Sequence, residues 1–145
     1  MDLVSEIHEA WGWVGIEPLE IVARNEFGNL IIRDHDGRYW RLCPEDVCCE
    51  VVADSKEHFD SLWRDPDFVA DWEMVVLVEA ARESLGVLPE DWSYCLVIPA
   101  ALSGAYEMSN VKSAPLLELI KFSGYLGKQI RDLPDGAQVQ LKYID

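Results

Sequence analysis

The residues with most chemistry to offer lie in one stretch, "IIRDHDGRYWRLCPED", residues 31–46. It holds Asp34, His35, Asp36 and Gly37 in succession, then Cys43, Glu45 and Asp46. Acids beside a glycine suggest a calcium loop, which needs acids at loop positions one, three and five, glycine at six and glutamate at twelve. With Gly37 at position six, Asp34 and Asp36 fit, but Ile32 falls at one and Cys43 at twelve. With Asp34 at position one, Glu45 falls at twelve and Tyr39 at six. Neither register completes the loop, and Asp36-Gly37 reads as a β-hairpin turn.

Zinc is the next chemistry to weigh. Cys43, Cys48, Cys49 and Cys95 form no C-x-x-C pair, so the spacing expected of a zinc site is missing. Cys48 and Cys49 are neighbours in an expected strand and must face opposite ways. All four read as structural thiols. Nucleophilic catalysis fares no better. His8, His35 and His58 lie near no G-x-S-x-G elbow, and the chain has no glycine-rich phosphate loop. The sequence therefore assigns no catalytic residue, no metal ligand and no cofactor.

Acidity beside aromatic residues points elsewhere. Trp40 precedes Glu45 and Asp46, Trp63 precedes Asp65 and Asp67, and Trp72 sits between Asp71 and Glu73. Tryptophan and tyrosine anchor protein interfaces, and acids around them steer a basic partner. Trp63 and Trp72 read better as core residues of amphipathic helices than as interface anchors. The acids are expected at the surface. The candidate partner-binding residues are Asp34, His35, Asp36, Glu45 and Asp46 first, and Asp65, Asp67 and Asp71 second.

The elements that position these residues can be read from periodicity. Asp2 caps a first helix with Leu3, Ile7, Trp11 and Val14 at helical spacing. Strands are expected at Pro18–Arg24, at "NLIIRD" and "RYWRLC" around the hairpin turn, and at "VCCEVVA". Asp54 and Glu57 have capping-box spacing and open a helix to Arg64. Asp65-Pro66 opens another, running unbroken to Leu85. Its run "MVVLV" is apolar most of the way round, so it should be a buried central helix. "WSYCLVIP" reads as a strand buried on both faces. Residues 100–112 are ambiguous. Ser113 caps a helix to Arg131, in which Gly124 and Gly127 permit close packing, and "AQVQLKYI" closes as a strand. The expected fold class is α+β: one domain over residues 1–145, with a mostly antiparallel sheet packed against several helices.

The charge narrows the function further. The chain has 145 residues and a net charge of −15. Residues 1–105 carry 22 Asp/Glu against 7 Lys/Arg, whereas residues 106–145 carry five of each. Such a chain is not expected to bind nucleic acid, because phosphate contacts need Lys and Arg. Its natural partner is a basic surface. The start "MDLVSEIHEAW" lacks the basic region of a signal peptide. No apolar run approaches the ~20 residues of a membrane span. A cytoplasmic location is expected, with reduced thiols.

Several blocks carry a family resemblance. "FGNLIIRDHDGRYWRLCPEDVCCEVVADS", "DFVADWEM", "LVIPAALSGAYEMSNVKSA" and "ELIKFSGYLGKQIRDLPDG" together resemble the C-terminal domain of type VI secretion immunity proteins of the Tdi type. The resemblance covers roughly residues 16–141. Its most specific parts are the G-R-Y-W-R-x-C-P-E block and the late F-S-G…Q-I…L-P-D-G block. Members are encoded beside toxins and bind them, and the cognate toxins of the Tdi type are DNases. Full-length members often carry an extra N-terminal region, and here only some 15 residues precede the similar part. The resemblance implies a non-enzymatic immunity protein that covers a toxin's basic active face. It transfers no catalytic residue. Two other readings remain: a small hydrolase that reverses a toxin's modification, which needs a deep pocket with a carboxylate or histidine of shifted pKa, and a housekeeping scaffold.

Overall fold

The computed structural model describes residues 2–134 and 137. Helix α1 (Leu3–Trp11) is capped by Asp2, whose side chain accepts from the Ser5 N–H at 2.7 Å. Strands β1 (Pro18–Arg24), β2 (Leu30–Asp34), β3 (Tyr39–Cys43) and β4 (Cys48–Ala53) follow as an antiparallel meander in that spatial order. Ile32 pairs with Trp40 and Leu42 with Cys49. The turn between β2 and β3 lies at Asp36-Gly37, as expected, and Gly37 supplies its positive φ of 82°.

Alternation divides the sheet into two buried faces. Leu30, Ile32, Trp40, Leu42 and Cys49 pack with Ile7, Trp11, Leu116 and Ile120, so α1 and the last helix cover this face. Ile31, Tyr39 and Ala53 pack with Trp72, Phe59, Leu62 and Phe68 from helices on the other side. Cys48 and Cys49 do face opposite ways. Arg41 and Cys43 share the side of Tyr39, which decides where the site forms.

Helix α2 (Lys56–Leu62) begins one residue later than the expected capping box. Ser55, not Asp54, caps it by accepting from the His58 N–H at 3.1 Å. Asp54 instead meets the His58 ring. Helix α3 (Pro66–Glu73) is capped by Asp65. The long helix expected to reach Leu85 is broken. Met74 takes a left-handed conformation (φ 48°) that ends α3 and starts α4 (Val75–Leu85). Asn25 pins the break by donating to the Trp72 carbonyl at 2.8 Å, while its side-chain oxygen accepts from the Phe27 and Asn29 N–H groups. Nor is the "MVVLV" run a buried centre. Val78 and Ala81 face Phe27, Tyr94, Leu96 and Val111, but Val75 is 48% exposed and Val76 83%.

Strands β5 (Trp92–Leu96) and β6 (Val111–Pro115) form a separate antiparallel pair. Ser93, Tyr94 and Leu96 are buried, whereas Val97 and Ile98, expected in the same strand, lie beyond its end and are exposed. Ser113 belongs to β6 and caps nothing; the last helix, α5 (Leu116–Ile130), starts directly after Pro115. Gly124 lets α5 approach α1 closely, because a Cβ there would overlap the Ala10 carbonyl. The closing strand expected from "AQVQLKYI" lies, apart from Ala137, outside the described residues. The mixed α/β class with antiparallel sheets holds; the buried central helix does not. Among the described residues, no helix is long and apolar enough to cross a membrane.

Candidate functional site

The site grows from the C-terminal end of β3. Pro44, Glu45 and Asp46 form a single 3-10 turn between β3 and β4. Val47 closes it in a left-handed conformation (φ 51°), its N–H donating to the Pro44 carbonyl at 3.1 Å. A β-branched residue in that region is strained, so this turn is held by its surroundings. It forms one end of a groove of about 830 Å³. Cys48, Glu50 and Val52 of β4 line one wall, and Asp71, Val75 and Val76 line the other. Tyr106 overhangs the turn and donates to Asp46 Oδ1 at 3.0 Å. Its loop is tied down by Asn110, which bonds the backbone of Ile98 and Ala105.

Arg41 forms part of the lining. Its guanidinium lies over the rings of Trp72 and Phe68, with its carbon 5.2 and 5.8 Å from their centroids. Nη1 donates to Asp71 at 2.7 Å, and Nε and Nη2 donate to Asn29 Oδ1 at 3.3 and 3.0 Å. Asn29 is fully buried and passes the order on: its Nδ2 donates to both Glu45 oxygens, at 2.9 and 2.8 Å. Burial pushes the Glu45 carboxyl up to about 7, with Asp46 adding to the rise, against the Asn29 bonds and Arg41, which favour the charged form. Burial also pushes the Cys43 thiol far up; Arg41 opposes this, while Glu45 and Asp46 reinforce it.

The expected site residues separate into groups. Asp34 is 1% exposed and Glu45 5%, so the expectation that these acids lie at the surface is corrected. Asp34 accepts from the Trp40 indole at 2.8 Å, from the N–H groups of Asp36 and Arg38 at 2.9 Å each, and from Arg38 Nε at 3.1 Å. His35 and Asp36 are exposed at the hairpin tip. They lie a full strand from Glu45, about 16 Å at the usual rise per residue. Asp46, Asp65, Asp67 and Asp71 are exposed. Asp67 and Asp71, four apart on α3, share one helical side that leads to the groove. Trp40 and Trp72 are core residues, at 6% and 7% exposure, and Trp63 is half-buried. Glu6 is a third buried acid, missed because every acid was placed outside.

Sequence reasoning also missed Asn29, Arg41, Glu50, Tyr106 and the two exposed valines. The strand alternation that puts Arg41 and Cys43 on one side was legible. The closeness of Tyr106 to Asp46, sixty positions apart, was not.

The groove holds a buried carboxylate beside a buried thiol, but none of the three histidines. His8 and His35 lie together at another cleft near Glu17, and His58 is on α2. Burial pushes the Cys43 thiol up, which makes it a poorer nucleophile.

The chain was also compared with known proteins. No curated protein matches it. A family model described as "T6SS immunity protein Tdi1, C-terminal" matches residues 53–127. The match starts at the end of β4, so the hairpin and the acidic turn lie ahead of it, and it ends within α5. It spans helices α2 to α4, which include the helical wall of the groove, the β5–β6 pair and the Tyr106 loop, whereas the β4 wall precedes it. With half of its length matched, the chain belongs to the family of type VI secretion immunity proteins represented by the Tdi1 C-terminal domain.

Proposed function

We propose that this protein neutralises a cognate toxin by covering the toxin's basic active or substrate-binding face, without chemistry, and that the toxin is a nuclease of the DNase kind. The carrying observation is the groove lining, in which exposed Val75 and Val76 occur with the acids Asp46, Glu50 and Asp71. Exposed apolar side chains beside mostly acidic ones give an interface both burial and steering. A nuclease must hold phosphates with Lys and Arg, and carboxylates on this rim would stand where phosphates lie. The net charge of −15 extends the attraction over the whole approach. Asp67 and Asp71 continue the acidic side along α3; His35 and Asp36 at the hairpin tip form a separate, secondary patch.

The hydrolase reading is favoured by one observation, the Glu45 carboxyl raised to about 7 in a groove. Against it stands the thiol beside Glu45, which is pushed away from reactivity. The immunity reading uses more of the groove and agrees with the family.

Co-expression with the toxin encoded next door tests the proposal. The wild-type chain restores growth and copurifies with the toxin. Val76→Arg, a substitution at an exposed position, places a positive charge against the basic partner. It weakens the complex at least about tenfold, since like charges across an interface cost several kcal/mol. Val87→Arg, at an equally exposed position outside the groove, leaves binding unchanged. Equal effects from the two variants would remove the groove from the interface.

A further inference from the structure

We infer that Cys43, whose thiol gives up its proton to solvent as the ion binds, and the carboxylates of Glu45 and Asp46 form a site for a zinc-like divalent cation at the end of the groove. One ligand atom from each residue lies within 4.8 Å of the other two. The three come from one tight turn, closed by Val47 in its left-handed conformation. Cys43 is 9% exposed, faces the groove, and makes no hydrogen bond through its sulfur among the described residues. A buried sulfur within 4.8 Å of two carboxylate oxygens is the donor set that a borderline-soft cation takes, whereas calcium and magnesium prefer oxygen alone.

The carboxylates are oriented before any ion arrives. Asn29 holds Glu45 and is itself held by Arg41, while the Tyr106 hydroxyl holds Asp46. Outer partners of this kind fix metal ligands in position. Charge points the same way. Once deprotonated as ligands, the three groups face Arg41 as the nearby cation among the described residues, and its guanidinium is already engaged by Asp71 and Asn29. A divalent cation balances them. Three protein ligands leave a fourth position open toward the groove, the arrangement of zinc sites that accept a further ligand. This site does not depend on the immunity reading, because its occupancy is measured without a toxin.

Cobalt(II) is the probe, since it takes zinc-like sites and shows a sulfur-to-metal charge-transfer band in the near ultraviolet when a thiolate binds it. The chelator-treated, reduced full chain is titrated with cobalt(II), and zinc is then added in competition. The expected result is a charge-transfer band saturating at one cobalt per chain, bleached by zinc, lost in Cys43→Ser and kept in Cys95→Ser. Asp46→Asn, at an exposed position, keeps the native circular dichroism and weakens cobalt binding at least about tenfold, on the scale of lost metal-site contacts; it decides the case if Cys43→Ser fails to fold. The inference is overturned if the wild-type chain gives no charge-transfer band, if the band survives Cys43→Ser, or if folded Asp46→Asn binds cobalt as the wild type does.

Discussion

At Asp34 a single carboxylate collects the Trp40 indole, two backbone N–H groups and the Arg38 guanidinium. Burial alone would raise its pKa, but the Trp40 bond, the N–H groups of Arg38 and Asp36 and the Arg38 charge outweigh burial and hold it below the ordinary value of 3.8. A lowered folded-state pKa stabilises the fold above the unfolded-state value, and that stability is lost as the pH falls through the folded value. Asp34→Ala leaves buried donors without a partner, each costing about 1–3 kcal/mol. Urea midpoints for this variant should therefore fall by an amount equivalent to about 2–4 kcal/mol at pH 7, with the difference from wild type shrinking in acid below pH 4. An unchanged midpoint at pH 7 would contradict the reading of Asp34 as the anchor of the hairpin. The residue illustrates what sequence withholds: the Asp-Gly turn was legible, but nothing local says whether the aspartate before it points outward or under the next strand.

Elements were legible where period and punctuation agreed. The four-strand meander, its turn and the capped first helix follow from alternation, Asp36-Gly37 and Asp2. Helices α3 and α4 were not separable, because residue 74 is methionine, without the glycine or proline that marks a break. Tertiary bonds from Asn25 stabilise the break instead. Next to the break, Val75 and Val76 are exposed on the groove wall proposed as the interface. Gly124 gives the sharpest test at this scale, since its sequence reading as a close-packing glycine agrees with the contact made at Ala10. Gly124→Ala must push α1 from α5 and should destabilise the fold by about 1–3 kcal/mol or more, as overpacking does. Alanine at an unconstrained helix position would instead stabilise by up to about 1 kcal/mol. Thermal unfolding distinguishes the two signs.

For the whole molecule, the charge asymmetry was visible at once. The placement of charge was not. Of the eight acids and histidines first considered, two support the interior, two sit at the hairpin tip, and Asp46, Asp67 and Asp71 lead into or line the groove while Asp65 caps α3. Attraction between an acidic face and a basic one acts through solvent and weakens beyond a Debye length, ~10 Å at 0.1 M salt. Association with the toxin should therefore slow steeply as salt rises, with dissociation much less affected. The central claim, occlusion without chemistry, is tested most directly by adding the purified protein to its toxin and measuring DNA binding by a catalytically inactive form of that toxin. The account predicts that DNA is displaced at one equivalent of protein and that the toxin is recovered unmodified and DNA-competent after dissociation. A complex that still binds DNA normally, or a toxin that remains altered after the protein is removed, would contradict it.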